Sequence, residues 1–363
     1  MIKIGIDVQS SQGQTTGLGV YTSSLVQSLS SENRNGTQIC LLASERKGDL
    51  NTLERLRWEN VELPRKVKEE KIQLLHVPAF SPPMAKSCRV VVTVHDLIGM
   101  LFPNQKGWPS RFYWGKWLPR RIKKADFLIA VSEHTRKDVV RYLGVAEKKI
   151  KVIHSSGHEG FSPIRDSARL QEMRGRFGIR EKYFLSVGTL EPRKNLQRVI
   201  QAFARFRREA PAGKDWQLVV VGSKDFAYGK VFHDMTDGKN LSSEDISFTG
   251  YVKREDLNAL YSGAAAFLFP SLYEGFGFPV LEAMASGTPV LTSDRTSLPE
   301  VAGEAALAVN PEDVNAISEG MKLLAGDEKA RAEFIQKGFE RIKHFSWSKT
   351  AKETLAVYES VLT

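Results

Sequence analysis

The sequence contains little cysteine and no long apolar run. Only Cys40 and Cys88 occur among 363 residues, which excludes a disulfide framework and favours a reducing compartment. No apolar stretch approaches the roughly 18 residues that a membrane-spanning helix requires. The first residues, 1–7, are typical of a short buried strand and not of a signal-peptide core. We therefore expect a cytoplasmic globular protein.

Sequence patterns of common metal and phosphate sites are also missing. The seven histidines and two cysteines are scattered, and the small residues between His154 and His158 predict a loop there. Gly17 and Gly19 form only a G-x-G, without the third glycine of a dinucleotide fingerprint, and no G-x-x-x-x-G-K-[ST] loop occurs. We expect neither a metal ion nor a resident cofactor.

The excess positive charge is confined to the first part of the chain. Of 52 Lys and Arg and 42 Asp and Glu, residues 1–165 hold 26 basic and only 15 acidic side chains. Such asymmetry suggests an anionic partner, which could be nucleic acid, an acidic membrane surface or a phosphorylated substrate. An ordinary solvated surface is the alternative.

Short β-branched runs alternate with helical segments throughout. The predicted strands are Lys3–Asp7, Gln38–Leu42, Leu74–Val77, Val90–Val94, Phe127–Val131, Ile150–His154, Tyr183–Val187, Gln217–Gly222, Ile246–Thr249, Ala265–Phe269 and Pro289–Thr292. Two sets of such strands predict an α/β protein with two doubly wound, Rossmann-like domains, whose ligands bind beyond the carboxyl ends of the strands, in a cleft between them. We place the domains at residues 1–163 and 164–345, with a last helix over 346–363 crossing back to the first domain.

A glycine-containing loop feeds a predicted helix at residues 274–287. Pro279 suits the first position of that helix, so the free amides of Glu274 to Phe278 can meet a phosphate or sugar hydroxyls. Glu282 lies in an almost wholly apolar helix, and a buried carboxylate requires donors such as a ribose diol. Nearby backbone amides are the alternative donors.

Two cations stand in the turn after the strand at 183–187. Arg193 and Lys194 precede Asn195, a plausible N-cap, and cations at a helix N-terminus oppose the helix dipole. A pyrophosphate would resolve this conflict, whereas the alternative is an ion pair with Glu191.

Two features of the first domain complete the candidates. His95 follows a buried strand and can exchange hydrogen bonds with a sugar hydroxyl, although a structural role is the alternative. Residues 108–124 interleave aromatic and cationic side chains, which is typical of a surface that lies on anionic membranes. The alternative is a helix that packs its rings inward. We expect Pro119 to interrupt the helix in this segment.

Several stretches together resemble the retaining glycosyltransferases of family 4, which have the GT-B fold. Glu274 and Glu282 form an E-x7-E pattern, and the resemblance extends to 93–96, 188–195, 248–252 and 298–303. It covers nearly the whole chain and is strongest from about residue 180 to 310. The sequence of residues 188–195 is most similar to that of bacterial mannosyltransferases of surface polysaccharide assembly.

The resemblance implies a role for each matched residue. Lys194 and Arg193 would hold the donor diphosphate, and Glu282 the ribose. Glu274 and the loop after it would hold the donor sugar, with His95 reaching it across the cleft. The other donor-binding residues implied are Gly17, Gly19, Gly188, Tyr251, Val252, Gly275, Phe276, Gly277 and Phe278. The leaving phosphate would accept the proton of the acceptor, without metal, in keeping with the absence of an Asp-x-Asp motif.

Three departures from the family pattern concern the acceptor contacts and part of the diphosphate site. Val20 and Thr189 stand where the family often has basic residues, and 156–159 replaces a common Asn-Gly-Val-Asp. We expect a metal-independent hexosyltransferase that uses GDP-mannose to extend an envelope glycan or lipid-linked acceptor, either cytoplasmic or peripheral on the inner membrane face. The alternatives are a non-catalytic nucleotide-sugar or glycan-binding protein, an epimerase or hydrolase of the same fold, and, less favoured, a nucleic-acid binder.

Overall fold

Parallel strands make up both sheets of the protein. The computed structural model describes residues 2–13, 17–32, 37–46, 48–102, 108–210, 213–222, 241–242 and 244–363. Its contacts divide the chain into unit 1, Met1–Ser156 with Phe345–Thr363, and unit 2, Gly157–His344. The boundaries that we placed from the sequence lie at 163 and 345.

Unit 1 contains a six-stranded parallel sheet in the order β2-β1-β3-β4-β5-β6. Its strands are β1 Ile2–Asp7, β2 Thr37–Leu42, β3 Leu74–Val77, β4 Arg89–Val94, β5 Phe127–Ala130 and β6 Ile150–Val152. The α-helices of its first segment are α1 Gly17–Glu32, α2 Thr52–Arg57, α3 Leu63–Glu69, α4 Ile98–Leu101, α5 Trp108–Phe112, α6 Leu118–Ile122 and α7 Glu133–Asp138. The chain reverses its direction across the sheet between β1 and β3, and such switch points are where open α/β sheets bind ligands.

Unit 2 repeats this architecture, with the order β12-β11-β10-β7-β8-β9. Its strands are β7 Tyr183–Val187, β8 Gln217–Val221, β9 Ile246–Gly250, β10 Ala266–Phe269, β11 Val290–Ser293 and β12 Leu307–Val309. Its helices are α8 Ser167–Phe177, α9 Leu196–Glu209, α10 Arg254–Gly263, α11 Phe278–Ala285, α12 Leu298–Ala302, α13 Val314–Gly326 and α14 Glu328–Ile342. The switch point lies between β7 and β10, the two strands that precede the cationic turn and the E-x7-E loop.

Apolar side chains from both faces of each sheet form the cores. In unit 1 the consecutive residues Val90, Val91 and Val92 of β4 point alternately to the two faces and are all fully buried, as a sheet covered on both faces requires. In unit 2 an aromatic cluster covers one face, where Phe184 stacks on Trp216 with ring centroids 4.8 Å apart. These cores hold the carboxyl ends of the strands in fixed positions.

The last helix, α15 Trp347–Leu362, belongs to unit 1 and is capped by Ser346. Its Tyr358 is buried, and the hydroxyl lies 2.6 Å from Nδ1 of His76 on β3. Thr350 donates to the carbonyl oxygen of His154 at 2.7 Å. Unit 1 is therefore built from two separate pieces of the chain.

The expected interruption at Pro119 is wrong. Helical structure continues from Trp108 to Ile122 because residues Tyr113–Trp117 form a π-helical turn, in which the amide of Leu118 bonds to the Tyr113 carbonyl. Pro119 directly follows this wider turn, which accommodates a residue that donates no backbone hydrogen bond. The charged segment is thus one continuous helical element.

In the part of the chain that the structure describes, no helix is both long and apolar enough to cross a membrane.

Candidate active site

The cationic turn after β7 is shaped by two residues with positive φ. Gly188 has φ +152°, and a Cβ there would contact the aliphatic stem of Lys194 at 3.5 Å. Asn195 has φ +62° and lies in the left-handed region, which asparagine tolerates better than most residues. Asn195 occupies the predicted N-cap position of α9, but its side chain makes no capping hydrogen bond, because its amide group donates to the carbonyl oxygens of Pro270, at 2.9 Å, and Pro311, at 2.6 Å.

Both cations of this turn bind Glu274, which follows β10. Lys194 Nζ lies 2.7 Å from one carboxylate oxygen of Glu274, and Arg193 lies 3.0 Å from the other. The Lys194 ammonium also stands 4.8 Å from the ring centroid of Phe269. These contacts bring three of the predicted site residues together at the switch point of unit 2.

Arg193 forms the ion pair that the sequence left as the alternative. Its Nε donates to Glu191 at 2.7 Å while its terminal nitrogen binds Glu274. Burial raises the pKa of Glu191, but Arg193, Thr189 and Lys194 outweigh it and hold that pKa below its ordinary value. Arg193 therefore bridges two carboxylates, and a bound diphosphate would compete with both.

The side chain of Ser297 holds the loop from Gly275 to Phe278 in place. Its hydroxyl lies 2.9 Å from the carbonyl oxygen of Glu274 and 2.8 Å from that of Phe276. Gly277 has φ +119° and immediately precedes α11, a conformation that strains any residue with a Cβ. The loop thus delivers its amides to the N-terminus of α11, where an anion or hydroxyl groups are favoured.

Glu282 is buried in α11 and has two side-chain partners. Tyr261 donates to one oxygen at 3.1 Å, and Arg254 lies 3.5 Å from the other. Burial raises the pKa of Glu282 to about 7 even though Arg254 and Tyr261 act to lower it. The backbone amides considered in the sequence are not the partners that the structure gives this carboxylate.

Arg254 is a site residue that the sequence analysis missed. It donates to the carbonyl oxygens of Gly157 and Glu159 at 2.8 and 2.9 Å, and its guanidinium stacks on Phe161 at 4.4 Å. No local spacing links it to Glu282, which is 28 residues away. Only a chemical argument pointed to such a residue, because a carboxylate inside an apolar helix requires a cationic or hydroxyl partner.

The two residues predicted near the base differ in exposure. Tyr251 follows β9 with its side chain 68% exposed, whereas Val252 is buried. Of the two, Tyr251 is the side chain available for stacking on a base.

The predicted residues of unit 1 are His95 and the two glycines that begin α1. His95 Nε2 donates to the Pro78 carbonyl at 2.8 Å, and the ring packs edge-on against Tyr21 at 4.6 Å. Burial lowers the pKa of His95 to about 4, although its bond to Pro78 acts in the opposite direction. His95 is therefore neutral at pH 7 and leaves Nδ1 as an acceptor. Gly17 starts α1, and Gly19 is buried within it.

Among the described residues no group of three His, Cys, Asp or Glu side chains is arranged to hold a metal ion.

Comparisons with known proteins identify the class. Residues 17–156 match Glycosyltransferase Family 4, and residues 171–341 match Glycosyl transferases group 1. In solved structures, the chain matches sucrose-phosphate synthase from Thermosynechococcus elongatus with a TM-score of 0.78, at 18% identity and over 99% of both chains. Two α/β units, each with a parallel sheet, are characteristic of the GT-B fold. The fold predicted from the sequence is therefore confirmed.

Curated relatives agree with this assignment. The chain is 31% identical to O-antigen chain mannosyltransferase B of Escherichia coli, over 81% of this chain and 76% of the relative. It is 32% identical to the serotype-specific mannosyltransferase WbdA of Escherichia coli over 76% of this chain, a match that spans only 33% of WbdA. The protein belongs to family 4 of the glycosyltransferases, and the prediction of a glycosyltransferase is confirmed.

Replacing Glu282 with glutamine is expected to weaken nucleoside diphosphate binding by about 1.5–2.5 kcal/mol, since a neutral amide accepts weaker hydrogen bonds than a carboxylate. Because the pKa of Glu282 is about 7, wild-type affinity should also rise between pH 6 and pH 8 as the carboxylate ionises. Titration calorimetry at both pH values measures both effects. Equal affinities and equal pH profiles would show that Glu282 is only structural.

Replacing His95 with alanine is expected to slow sugar transfer far more than it weakens binding of the nucleoside diphosphate. The reason is that His95 is expected to contact the donor sugar, whereas the diphosphate is expected to bind to residues of unit 2. Steady-state kinetics and calorimetry on the same variant separate the two quantities. Parallel losses in both would instead indicate that His95 only supports Pro78 and Tyr21.

Proposed function

We propose that the protein transfers a mannosyl residue from GDP-mannose to a surface glycan or its lipid-linked precursor, with retention of the anomeric configuration. The observation that carries the proposal is the pair Lys194 and Arg193 on Glu274 at the switch point of unit 2. Support for mannose comes from the relatives, which are named as O-antigen and serotype-specific mannosyltransferases.

The chemistry proposed for this site is electrostatic. Lys194 and Arg193 would turn from Glu274 to the diphosphate and stabilise the negative charge that grows on it as the glycosidic bond breaks. Glu274 would then bind hydroxyl groups of the donor sugar. Among the described residues of the site no side chain is placed as an obvious nucleophile, which agrees with attack by the acceptor on the face that the phosphate leaves, the phosphate taking the acceptor's proton.

The donor can be identified by thermal unfolding with GDP, UDP, ADP and dTDP. A ligand at 100 times its Kd adds about 2.7 kcal/mol of stability, which raises the Tm of a unit of this size by roughly 5–10 °C. We expect GDP to give the largest rise, and GDP-mannose but not UDP-glucose to support transfer. A larger rise with UDP would assign a different donor.

We also propose that transfer requires no metal ion. The role a metal would have at the diphosphate is assigned to Lys194 and Arg193, which already stand together beside the loop of α11. Turnover in 5 mM EDTA should therefore equal turnover in buffer alone. Loss of activity in EDTA, with recovery on adding Mg²⁺ or Mn²⁺, would contradict this.

We further propose that unit 1 lies on the anionic inner face of the cell membrane. The helical element from Trp108 to Ile122 and the residues just after it expose the cations Arg111, Lys116, Arg120, Lys123 and Lys124. Phe112, which is 42% exposed, lies beside Arg111, while Tyr113 is buried. A row of cations with an exposed ring favours an anionic bilayer, where each cation contributes about 1 kcal/mol near the surface.

Co-sedimentation with liposomes tests this membrane proposal. Wild-type protein should pellet with anionic vesicles at low salt, and binding should fade as salt screens the charges. The double variant Lys116→Glu, Arg120→Glu should stay in solution. The control Lys329→Glu, Lys343→Glu changes two exposed lysines of unit 2 and should still pellet. Equal pelleting with neutral and anionic vesicles, or none at low salt, would refute the proposal.

A further inference from the structure

Unit 1 carries a cluster of aromatic rings around one guanidinium at the switch point of its own sheet. Arg55 lies 3.9 Å above the ring of Phe80, and 5.6 Å from the ring centroids of both Tyr113 and Trp114. Phe80 and Trp114 are half-buried, and their rings meet edge to face at 5.9 Å. Arg55, Phe80 and Trp114 are called the aromatic platform below.

The platform lies where a ligand is expected in this type of sheet. Phe80 stands three residues after β3, and β1, which pairs with β3, ends at Asp7. The same loop accepts a hydrogen bond from His95 through Pro78. The platform therefore belongs to the carboxyl edge of the sheet at the point where the strand order reverses.

The backbone of Phe80 is strained. Its φ of +70° lies in the left-handed region, which costs free energy for a bulky residue and which packing alone would rarely select. Strain of this kind concentrates at binding and catalytic positions, where the surroundings enforce it. Here it keeps the ring of Phe80 against Arg55.

A buried carboxyl fixes both sides of the platform. Glu59 accepts hydrogen bonds from the amide of Ser81, next to Phe80, and from the hydroxyl of Tyr113, next to Trp114. Arg55 donates to the carbonyl oxygen of Leu50, and its charge also acts on the nearby carboxyl groups of Glu59 and Asp7. Its guanidinium faces the aromatic rings, and its N–H groups can donate to a hydroxyl-rich ligand.

The chemistry of the platform fits a sugar ring. Half-buried aromatic faces pack against the apolar C–H face of a pyranose, and a stacked guanidinium donates to its hydroxyls. We propose that the aromatic platform binds the sugar ring of the acceptor. This inference rests on the proposed function, because a transferase whose donor diphosphate is held by Lys194 and Arg193 needs a second sugar site.

Titration calorimetry with α-linked mannotriose tests the platform. Trp114→Ala should raise the Kd for the trisaccharide about tenfold, the effect of losing one ring contact, whereas Trp114→Phe should restore most of the affinity. The control Tyr142→Ala removes an exposed aromatic ring that also neighbours an arginine, Arg141, and should bind as wild type. The nucleoside diphosphate should bind all these variants equally.

Phe80→Gly provides a test that a structural role would not satisfy. Glycine relieves the positive φ, which offsets part of the loss of the half-buried ring, so the variant should still unfold cooperatively and bind the nucleoside diphosphate as wild type, yet it should lose acceptor affinity by about tenfold. Lys71→Gly relieves a similar φ of +55° at an exposed position and should leave that affinity unchanged.

The outcomes separate this inference from the proposed function. Wild-type affinity for mannotriose in both Trp114→Ala and Phe80→Gly would overturn the platform, as would failure of the wild-type protein to bind mannotriose, glucotriose or galactotriose. If the platform variants weaken binding of glucotriose or galactotriose instead, the platform stands and the assignment of mannose fails.

Discussion

Replacing Lys194 with alanine is expected to lower turnover by about 10²–10³-fold, the usual loss when one charge contact to a developing anion is removed. The ammonium of Lys194 lies between the Glu274 carboxylate and the face of Phe269, so few other groups can neutralise a departing diphosphate there. Arg193 remains in the variant and should preserve a residual rate. The measurement is kcat at saturating donor.

Lys337→Ala is the matched control for that experiment. Lys337 forms an ion pair of the same 2.7 Å length with Glu333, but on the exposed surface of α14. Its loss should leave turnover unchanged, because exposed pairs contribute little and this one is remote in sequence from the cationic turn. Wild-type turnover in Lys194→Ala would remove the lysine from the diphosphate site.

Replacing Glu59 with glutamine is expected to flatten the pH dependence of stability. In the wild-type protein Glu59 should lower the free energy of unfolding by about 2–3 kcal/mol between pH 6 and pH 8, and the variant should lack this decrease. Burial raises the pKa of Glu59 to about 8, although Tyr113, Ser81 and Arg55 act to lower it. The folded protein therefore keeps a proton that the unfolded chain has already released, so wild-type stability falls as pH rises through this range. Glutamine cannot ionise, and its profile should be flatter.

Urea unfolding at pH 6 and pH 8 measures this difference. His76 and His95, whose pKa values burial lowers to about 3 and about 4, act in the opposite direction, but only below about pH 6.5. The control Glu69→Gln changes an exposed glutamate of α3 and should keep the wild-type profile. Identical profiles for wild type and Glu59→Gln would show that the carboxyl ionises at its ordinary pH.

Local patterns predicted the framework and most strands well. The strands at 74–77 and 183–187 have the predicted bounds, because buried parallel strands are short apolar runs that turn residues end abruptly. The strand β12 was missed, since its three residues, Leu307–Val309, are too few and too exposed to show a pattern.

The sequence also indicated Glu274 and Lys194 as site residues, and the structure places them in direct contact. It could not predict contacts between residues that lie far apart in the chain. Arg254 reaches Glu282 from a separate helix, and Glu59 meets Tyr113 across 54 residues, so neither pairing leaves a periodic signal. Asn195 shows a further limit, because its left-handed φ depends on the carbonyl groups of Pro270 and Pro311, which lie far along the chain.

The return of the last helix to unit 1 determines how this enzyme could be recombined with its relatives. A chimera that exchanges unit 2 should be joined twice, near residue 157 and near residue 344, because Phe345–Thr363 completes unit 1. A single fusion after residue 156 would replace Tyr358 and leave Nδ1 of buried His76 without its partner. Unit 2, to which we assign the donor, is thus an insertion within unit 1, and it could be exchanged while the first and last segments of the gene stay together.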